Sequence, residues 1–566
     1  MHKYVFMKTI LTICIVLFFS NAQAADYFIS KNGNDSNPGK FESPWQTLDK
    51  ANKILKAGDS VYIREGTYTL NGTAISPVNS GSKDNIICFS SYNDEKVIFV
   101  NTSTSTSATA VNLDSDSGTI RSYIKVTGLT FIDFNRHLWI LKGHHNEISY
   151  CKFSGTALDG TKVGWRGSTI YRAAKYNHIH HNIFTNYGGY SPNDNGVVFE
   201  LGNETASDDG TSYNIIENNE LSNGGHHVFG MNGNHNVIRN NYIHNEPFYK
   251  FNGILYGNRV TFMVGHDGDD ERNLIEGNSI AYGSRCADDE IGGSGGTIAS
   301  RRHIIRKNKY YQNGIYASVF KVYTGQGSCT DNHVYSNVYW YNGHDLSETE
   351  KTYFNNEYTH AIYITESNLV QNNIFKNNIF YNNKNYYGKS IPIIESYPER
   401  DQPDLQIISG NWMEFGDPHF KNISGIPSPN LAKQYDFELQ SDSGAIDNGV
   451  FLTKITSTSG SGTVFTVEDA GYFFDGWGLA DEITTTNISG DIIQLKGQSQ
   501  TARILGVNYD NNTIFLDSPL TWTKGQEVAL EYGGTAPDQG AYEVMQGTTG
   551  LFIPETPENP QILLDD

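Results

Sequence analysis

The densest run of chemistry-bearing residues in the chain is His266-Asp-Gly-Asp-Asp-Glu-Arg272. Asp267, Asp269 and Asp270 set three carboxylates within four positions, and Gly268 permits a tight bend between them. Hard cations bind to oxygen donors grouped in this way. Asp267, Asp269 and Asp270 are therefore the expected Ca²⁺ ligands, although their spacing is not a full EF-hand pattern. Asp208-Asp209 and Asp288-Asp289-Glu290 add further acid nearby. The competing reading is a solvated acidic turn in an acidic protein. A second set is basic and imidazole-rich: His226, His227, Lys250, Arg259, His266 and Arg301, with Arg302 and Lys321 close by in sequence.

The two sets together supply what eliminative cleavage of a uronate-containing chain requires. The substrate carboxylate must be neutralised by a cation or an Arg so that its α-proton becomes acidic. A base must then remove that proton, and His, Lys, Arg or Tyr beside positive charge can serve. His226, His227, Lys250, Arg259, His266 and Arg301 are thus the candidate catalytic residues. Alternation along a strand predicts that His226 and His227 point to opposite faces. A glycoside hydrolase is the rival reading; it needs two flanking carboxyl groups, which Glu200, Glu246 and Asp267 or Asp270 could supply. A third reading is a non-catalytic glycan-binding or adhesive solenoid.

The elements that must position these side chains are announced by a repeat. Asn236-Val-Ile-Arg-Asn-Asn241, followed by Tyr242-Ile-His-Asn245, has relatives at Asn177-His-Ile-His-His-Asn182, Asn214-Ile-Ile-Glu-Asn-Asn219, Asn273-Leu-Ile-Glu-Gly-Asn278, His303-Ile-Ile-Arg-Lys-Asn308, Asn332-His-Val-Tyr-Ser-Asn337 and Asn372-Asn-Ile-Phe-Lys-Asn377. Read as closing residues, asparagines 182, 218, 240, 278, 308, 337 and 377 are 36, 22, 38, 30, 29 and 40 positions apart. Self-similarity at about 20–50 residues marks a solenoid. Roughly ten rungs are expected from about 120 to 422, with apolar pairs buried on one face of stacked parallel strands. The asparagines are expected to form amide ladders rather than to do chemistry. Function then belongs to the irregular turns beside the repeat, at 224–231, 246–272 and 285–302.

Composition agrees with a turn-rich β protein: 56 Gly, 35 Tyr and only 18% charged residues in 566. Lys3 and Lys8 precede an apolar run and Ala22-Gln-Ala24, the pattern of a cleavable signal peptide over residues 1–24. A secreted or periplasmic protein is expected, and no later segment approaches a membrane span. Loss of Lys3 and Lys8 takes the formal charge from −21 to −23. That surface argues against nucleic acid as a partner and leaves an acidic polysaccharide possible where a cation or basic cleft inverts the field. Cys88, Cys151, Cys286 and Cys329 are too sparse for a disulfide scaffold and lack zinc spacing. A monomer is expected.

Residues 26–70 read as an opening cap, with a helix over 45–56 that covers the first rung. Its stretches Phe28-Ile-Ser-Lys-Asn-Gly-Asn-Asp-Ser-Asn-Pro-Gly39, Pro44-Trp-Gln-Thr-Leu48 and Ala57-Gly-Asp-Ser-Val-Tyr-Ile-Arg-Glu-Gly-Thr-Tyr68 resemble the N-terminal segment of secreted right-handed parallel β-helix proteins of the pectate-lyase-like superfamily. The resemblance continues to about residue 422 and recurs at 436–449 and 537–543. It implies an all-β, right-handed, single-stranded parallel β-helix over 25–422 and a polysaccharide lyase, in which calcium with a Lys or Arg base is a common arrangement. No complete lyase motif matches, so no catalytic residue is carried over. Residues 423–546 read as a C-terminal cap holding a small β insert at about 451–533, and 547–566 as a flexible tail.

Overall fold

The computed structural model describes residues 24–114, 120–155, 166–187, 196–202, 210–245, 249–251, 254–256, 260–265, 270–283, 294–314, 316–323, 327–343, 360–365, 368–383, 394–396, 405–413, 415–423 and 435–545. Among them, short strands stack into three parallel sheets of 13, 12 and 10 strands, here called the first, second and third sheets. One turn of chain contributes one strand to each sheet. Val237–Arg239 lies in the first, Tyr242–His244 in the second and Val260–Val264 in the third. The chain is a parallel β-helix.

The register explains the repeat. In the first sheet Ile216, Ile238, Ile275 and Ile305 are aligned at the middle position and buried in the central core. Alternation sends the preceding residue to the opposite face. There Ile215, Val237, Leu274 and Ile304 form a second stripe, which packs in a different apolar cluster with residues 452–528. The apolar pairs were expected to serve a single buried face; they serve two. Rungs with Glu147, His178 or His333 in place of the first apolar residue carry polar contacts instead.

The second cluster is the interface with a C-terminal module. Residues 453–530 form a six-stranded antiparallel sheet, seated on the outer face of the first sheet. Polar contacts frame the apolar stripe: His145 Nε2 to Glu482 at 3.0 Å, His178 Nδ1 to Thr485 at 2.7 Å and His333 Nε2 to Asp469 at 2.8 Å.

The asparagines build ladders at a corrected position. Asn182, Asn219, Asn241, Asn278, Asn308, Asn337 and Asn378 align, and from Asn219 onward each side-chain oxygen accepts from the backbone N–H and side-chain N–H of the rung before. Asn218, Asn240 and Asn377 belong to the neighbouring column, where φ is +54° at each. Asparagine serves there because it tolerates the left-handed region. A second ladder runs through Asn177, Asn214, Asn236 and Asn273, and His303 takes the asparagine's place before Asn332.

The stack begins earlier than about 120. Asp26–Ile29 already pairs in parallel with Ser60–Ile63, and the first sheet runs to Ile407–Ser409. The capping helix is Leu48–Ile54, shorter than 45–56 because the Thr47 side chain accepts from Lys50 N–H and fixes the start. Leu48 and Ala51 are buried against the first rungs. Residues 1–23 and 546–566, which include most of the expected signal and the expected tail, lie outside the described residues. No helix among the described residues is long and apolar enough to cross a membrane.

Candidate functional site

Connections within the β-helix are sharply unequal. Strands of the first and second sheets are joined by two residues, as at Asn240-Asn241 and Gly277-Asn278, whereas joins at either end of third-sheet strands reach 19 residues at 341–359. Long turn insertions therefore flank the third sheet on both edges, while the first sheet is covered by the C-terminal module. The outer face of the third sheet is the face whose two edges carry the longest connections in sequence.

Across that face a register column runs Trp139, Thr169, Glu200, Gly230, Met263, Thr297 and Val319. Phe199, Leu201, Phe229 and Phe262 alternate with it and fill the core. Glu200 is the carboxylate in this column and is 1% exposed. His227 opens the next strand, His227–Met231, at 2% exposure. A Cβ at Gly230 would lie 2.3 Å from His227 Nε2. Glycine is thus what lets the imidazole lie over the strand, and Gly230 is the register partner of Glu200. His226 Nδ1 is 2.8 Å from His227 Nδ1.

The two imidazoles do not point to opposite faces as strand alternation predicts. His226 precedes the strand, in a turn where Gly225 and His226 N–H groups both donate to Gly196 O. That turn bends the chain so that the rings meet. In a neutral pair one Nδ1–H donates and the other Nδ1 accepts, so the donor ring carries a bare Nε2.

The other expected site residues divide between the two edges of the sheet. Lys250 lies on a hairpin, Tyr249–Phe251 against Ile254–Tyr256, inserted on the same side as His226. Its side chain, and Arg259 and Glu246, lie outside the described residues. His266, Asp267 and Asp269 also lie outside them. Asp270 and Arg301 sit at the opposite edge, beyond the C-terminal ends of the third-sheet strands. Five-residue strands set these edges about 13 Å apart. The sequence drew these residues into one set because it cannot show which end of a strand a turn occupies.

Asp270 and Arg301 have structural partners. Asp270 Oδ1 accepts from Gly233 N–H, and Asp270 O accepts from Arg301 N–H at 3.2 Å. Arg301 Nε is 3.4 Å and Arg302 Nη1 2.8 Å from the same Glu271 oxygen. Among the described residues no three His, Cys, Asp or Glu side chains converge to hold a metal ion. The described residues therefore do not make up a calcium site. The first-sheet docking face escaped the sequence reading altogether. Its signal was the apolar residue before the core isoleucine at 215, 237, 274 and 304.

Comparison with known proteins bears on the fold and on the N-terminal half. Residues 27–281 match the family described as Pel9A-like, right handed beta helix region, which bears out the resemblance for that stretch and its right-handed winding. A curated relative, the uncharacterized protein YwoF of Bacillus subtilis (strain 168), is 29% identical over 187 residues, 31% of this chain. The match spans only about a third of that relative's own length (34%). Solved structures to which the chain is similar include pectate lyase Pel9A (15% identity, 77% of this chain and 94% of that one, TM-score 0.44) and a rhamnogalacturonan lyase (16%, 74% and 97%, 0.44). A PL6 family polysaccharide lyase from Pseudopedobacter saltans is similar to the same degree (16%, 69% and 97%, 0.43).

Proposed function

We propose that this protein is an exported polysaccharide lyase that cleaves a uronate-containing chain by β-elimination on the outer face of the third sheet. The observation that carries the reading is the hydrogen-bonded pair His226–His227, set beside the buried Glu200 strand on the face flanked by long insertions. The family match over 27–281 includes all three residues and supports it.

In this reading His226 donates its Nδ1–H to His227 and presents a bare Nε2 as the base. His227, whose Nδ1 accepts that hydrogen bond, acts as a positioning residue. The base takes the proton α to the substrate carboxylate. The electron pair left behind forms the new double bond as the bond to the leaving glycosidic oxygen breaks, and that oxygen takes a proton from water. The cationic side chains of Lys250 and Arg259, on the insertion at the same edge, would neutralise the substrate carboxylate.

The test is a substrate panel of pectate, alginate, glycosaminoglycans and algal sulfated glycans, read by ultraviolet absorbance of the unsaturated product. At least one uronate-containing glycan should give an absorbance rise, and His226→Ala should lower kcat/KM by about 10²-fold or more. Reducing ends without absorbance would indicate a hydrolase. Silence on every uronate-containing glycan would sink the proposal.

A further inference from the structure

We propose that Arg136, laid on Trp139 on an early rung of the third-sheet face, is a binding subsite for a second uronate carboxylate of the substrate chain, away from the bond that is cut. The assignment rests on the reading of that face as the substrate groove.

Most described arginines are neutralised in place. Arg64, Arg239, Arg272, Arg301, Arg302 and Arg306 each have a carboxylate oxygen within 3.8 Å, as expected in a chain with 62 acidic and 41 basic residues. Arg121 and Arg503 donate to backbone carbonyls, Pro77 O and Gly490 O. Arg136 does neither. Among the described residues it is in no ion pair and no hydrogen bond, and its guanidinium carbon lies 4.0 Å from the centre of the Trp139 ring. A guanidinium held on an indole keeps its N–H edge open, and that edge fits a carboxylate in a bidentate pair. A hydroxyl would satisfy a single N–H; a carboxylate satisfies the fork and the charge together.

Local packing puts the two side chains on the outer face. Leu138 and Ile140 fill the core, so Trp139 alternates outward. His137 breaks the alternation, fully buried against Tyr187 at 5.2 Å and Phe153 at 6.0 Å. Arg136 is thereby left outside with Trp139, both half-buried. Tyr171 meets the indole edge-on at 5.7 Å and helps to fix it.

The register ties this pair to the proposed reaction site. Trp139, Thr169 and Glu200 are aligned, which sets Trp139 two rungs from Glu200, about 10 Å. Arg136 precedes Leu138 by two residues, as Arg166 precedes Ser168, and Arg166, Val197 and His227 are aligned. Arg136 therefore opens its strand at the same edge as His227, three rungs or about 14 Å away. A glycan laid along the stack with one uronate at His226 brings another, a few units on, to Arg136. The subsite thus selects a chain in which uronates recur.

The experiment is calorimetric titration of the full chain carrying His226→Ala, which leaves the probes uncleaved, in buffer with Ca²⁺. The probes are tetragalacturonate, tetramannuronate and a chondroitin tetrasaccharide, with galactotetraose as the neutral control. At least one uronate probe should bind, and galactotetraose about ten-fold more weakly or less. Arg136→Gln should weaken uronate binding by about ten-fold or more with the unfolding temperature unchanged. Arg136→Lys keeps the charge without the fork and should recover part of the loss. Lys524→Ala removes an exposed cation of the module and should change nothing. On a glycan that the wild type cleaves, Arg136→Gln should raise KM and leave kcat as it was. Silence with all three uronate probes, equal binding of galactotetraose, indifference to Arg136→Gln, or an equal loss from Lys524→Ala would each overturn the assignment. Uronate binding that needs Arg136 in a protein with no absorbance rise would keep the subsite and sink the lyase reading. An absorbance rise with KM unmoved by Arg136→Gln would do the reverse.

Discussion

Arg306 on the β-helix and Asp491 on the C-terminal module face each other in a bidentate pair, Nη1 to Oδ2 and Nη2 to Oδ1 both at 2.7 Å. The Arg306 side chain is only 3% exposed, and its Nε reaches Glu276 at 2.9 Å. Two carboxylates and the Tyr335 hydroxyl, 3.0 Å from Nη1, thus satisfy the guanidinium. Removal of one partner from a buried ion pair leaves a desolvated charge and costs about 3–5 kcal/mol. Arg306→Met should therefore destabilise the protein by that order in urea titrations and admit protease to the joint at 423–450 sooner than in the wild type. Unchanged stability and proteolysis would mean that the module is held by its apolar stripe alone.

The ladder and its neighbouring column should respond oppositely to substitution. Asn278 Oδ1 accepts from the N–H and Nδ2 of Asn241, and its Nδ2 donates to Ile238 O and Asn308 Oδ1. Asn278→Ala leaves several buried polar groups unsatisfied, at about 1–3 kcal/mol for each, so a loss of about 3 kcal/mol or more in urea titration is expected. Asn240 makes its inter-rung bond through backbone N–H to Glu276 O and holds φ at +54°. Asn240→Gly relieves that backbone and should stay within about 0.5 kcal/mol of wild type. Equal effects at the two positions would contradict the ladder assignment.

The scaffold was legible because its signals are local. A paired isoleucine or valine between asparagines specifies a rung wherever it occurs, and Asn177, Asn214 and Asn236 repeat it. The register was less legible: with two asparagines at 218–219, 240–241 and 377–378, only pairing distinguishes the ladder residue from the one in the left-handed turn. The site was legible in composition but not in geometry. His226 and Arg301 fall at opposite edges of a sheet because strand length, not sequence distance, separates them. The docking face was present in the sequence as a second apolar column and was absorbed into the core, since one strand read alone cannot show that both its faces are covered.

Calcium, if it assists the reaction, is proposed to bind through Asp267 and Asp269 rather than Asp270. The Asp270 carboxylate already accepts from Gly233 N–H and ties two rungs together. Asp267→Asn with Asp269→Asn should then abolish calcium-dependent activity at constant unfolding temperature. Asp270→Ala, which removes the acceptor for Gly233 N–H, should instead lower the unfolding temperature. EDTA should remove activity and added Ca²⁺ restore it; activity indifferent to EDTA would dispose of the metal.

Stability should rise with pH through the acid range and turn over near neutrality. Burial alone would raise Glu276, but Arg306 and Lys307 outweigh it and hold its carboxyl down at about 2; Glu147 is likewise held at about 2, against burial, by His180 and Lys125. A depressed carboxyl contributes stability above its unfolded pKa, near 4.3, and loses it as pH falls toward the folded value. Burial pushes the His303 imidazole down to about 3. The unfolded chain then binds a proton that the folded chain refuses, so stability drains as pH falls below about 6.5. Asp538 and Glu543 run the other way. Burial raises both carboxyls, with repulsion from Asp447 added at Asp538 and from Asp538 added at Glu543, so the folded state keeps protons the unfolded chain releases, and stability is lost as pH climbs above about 4.5. His303→Asn places the residue used by neighbouring rungs and should flatten the urea midpoint between pH 6.5 and 4. Glu543→Gln should flatten the decline above pH 6, whatever it costs at pH 5. A His303→Asn protein with the wild-type slope below pH 6.5 would exclude the imidazole as the source.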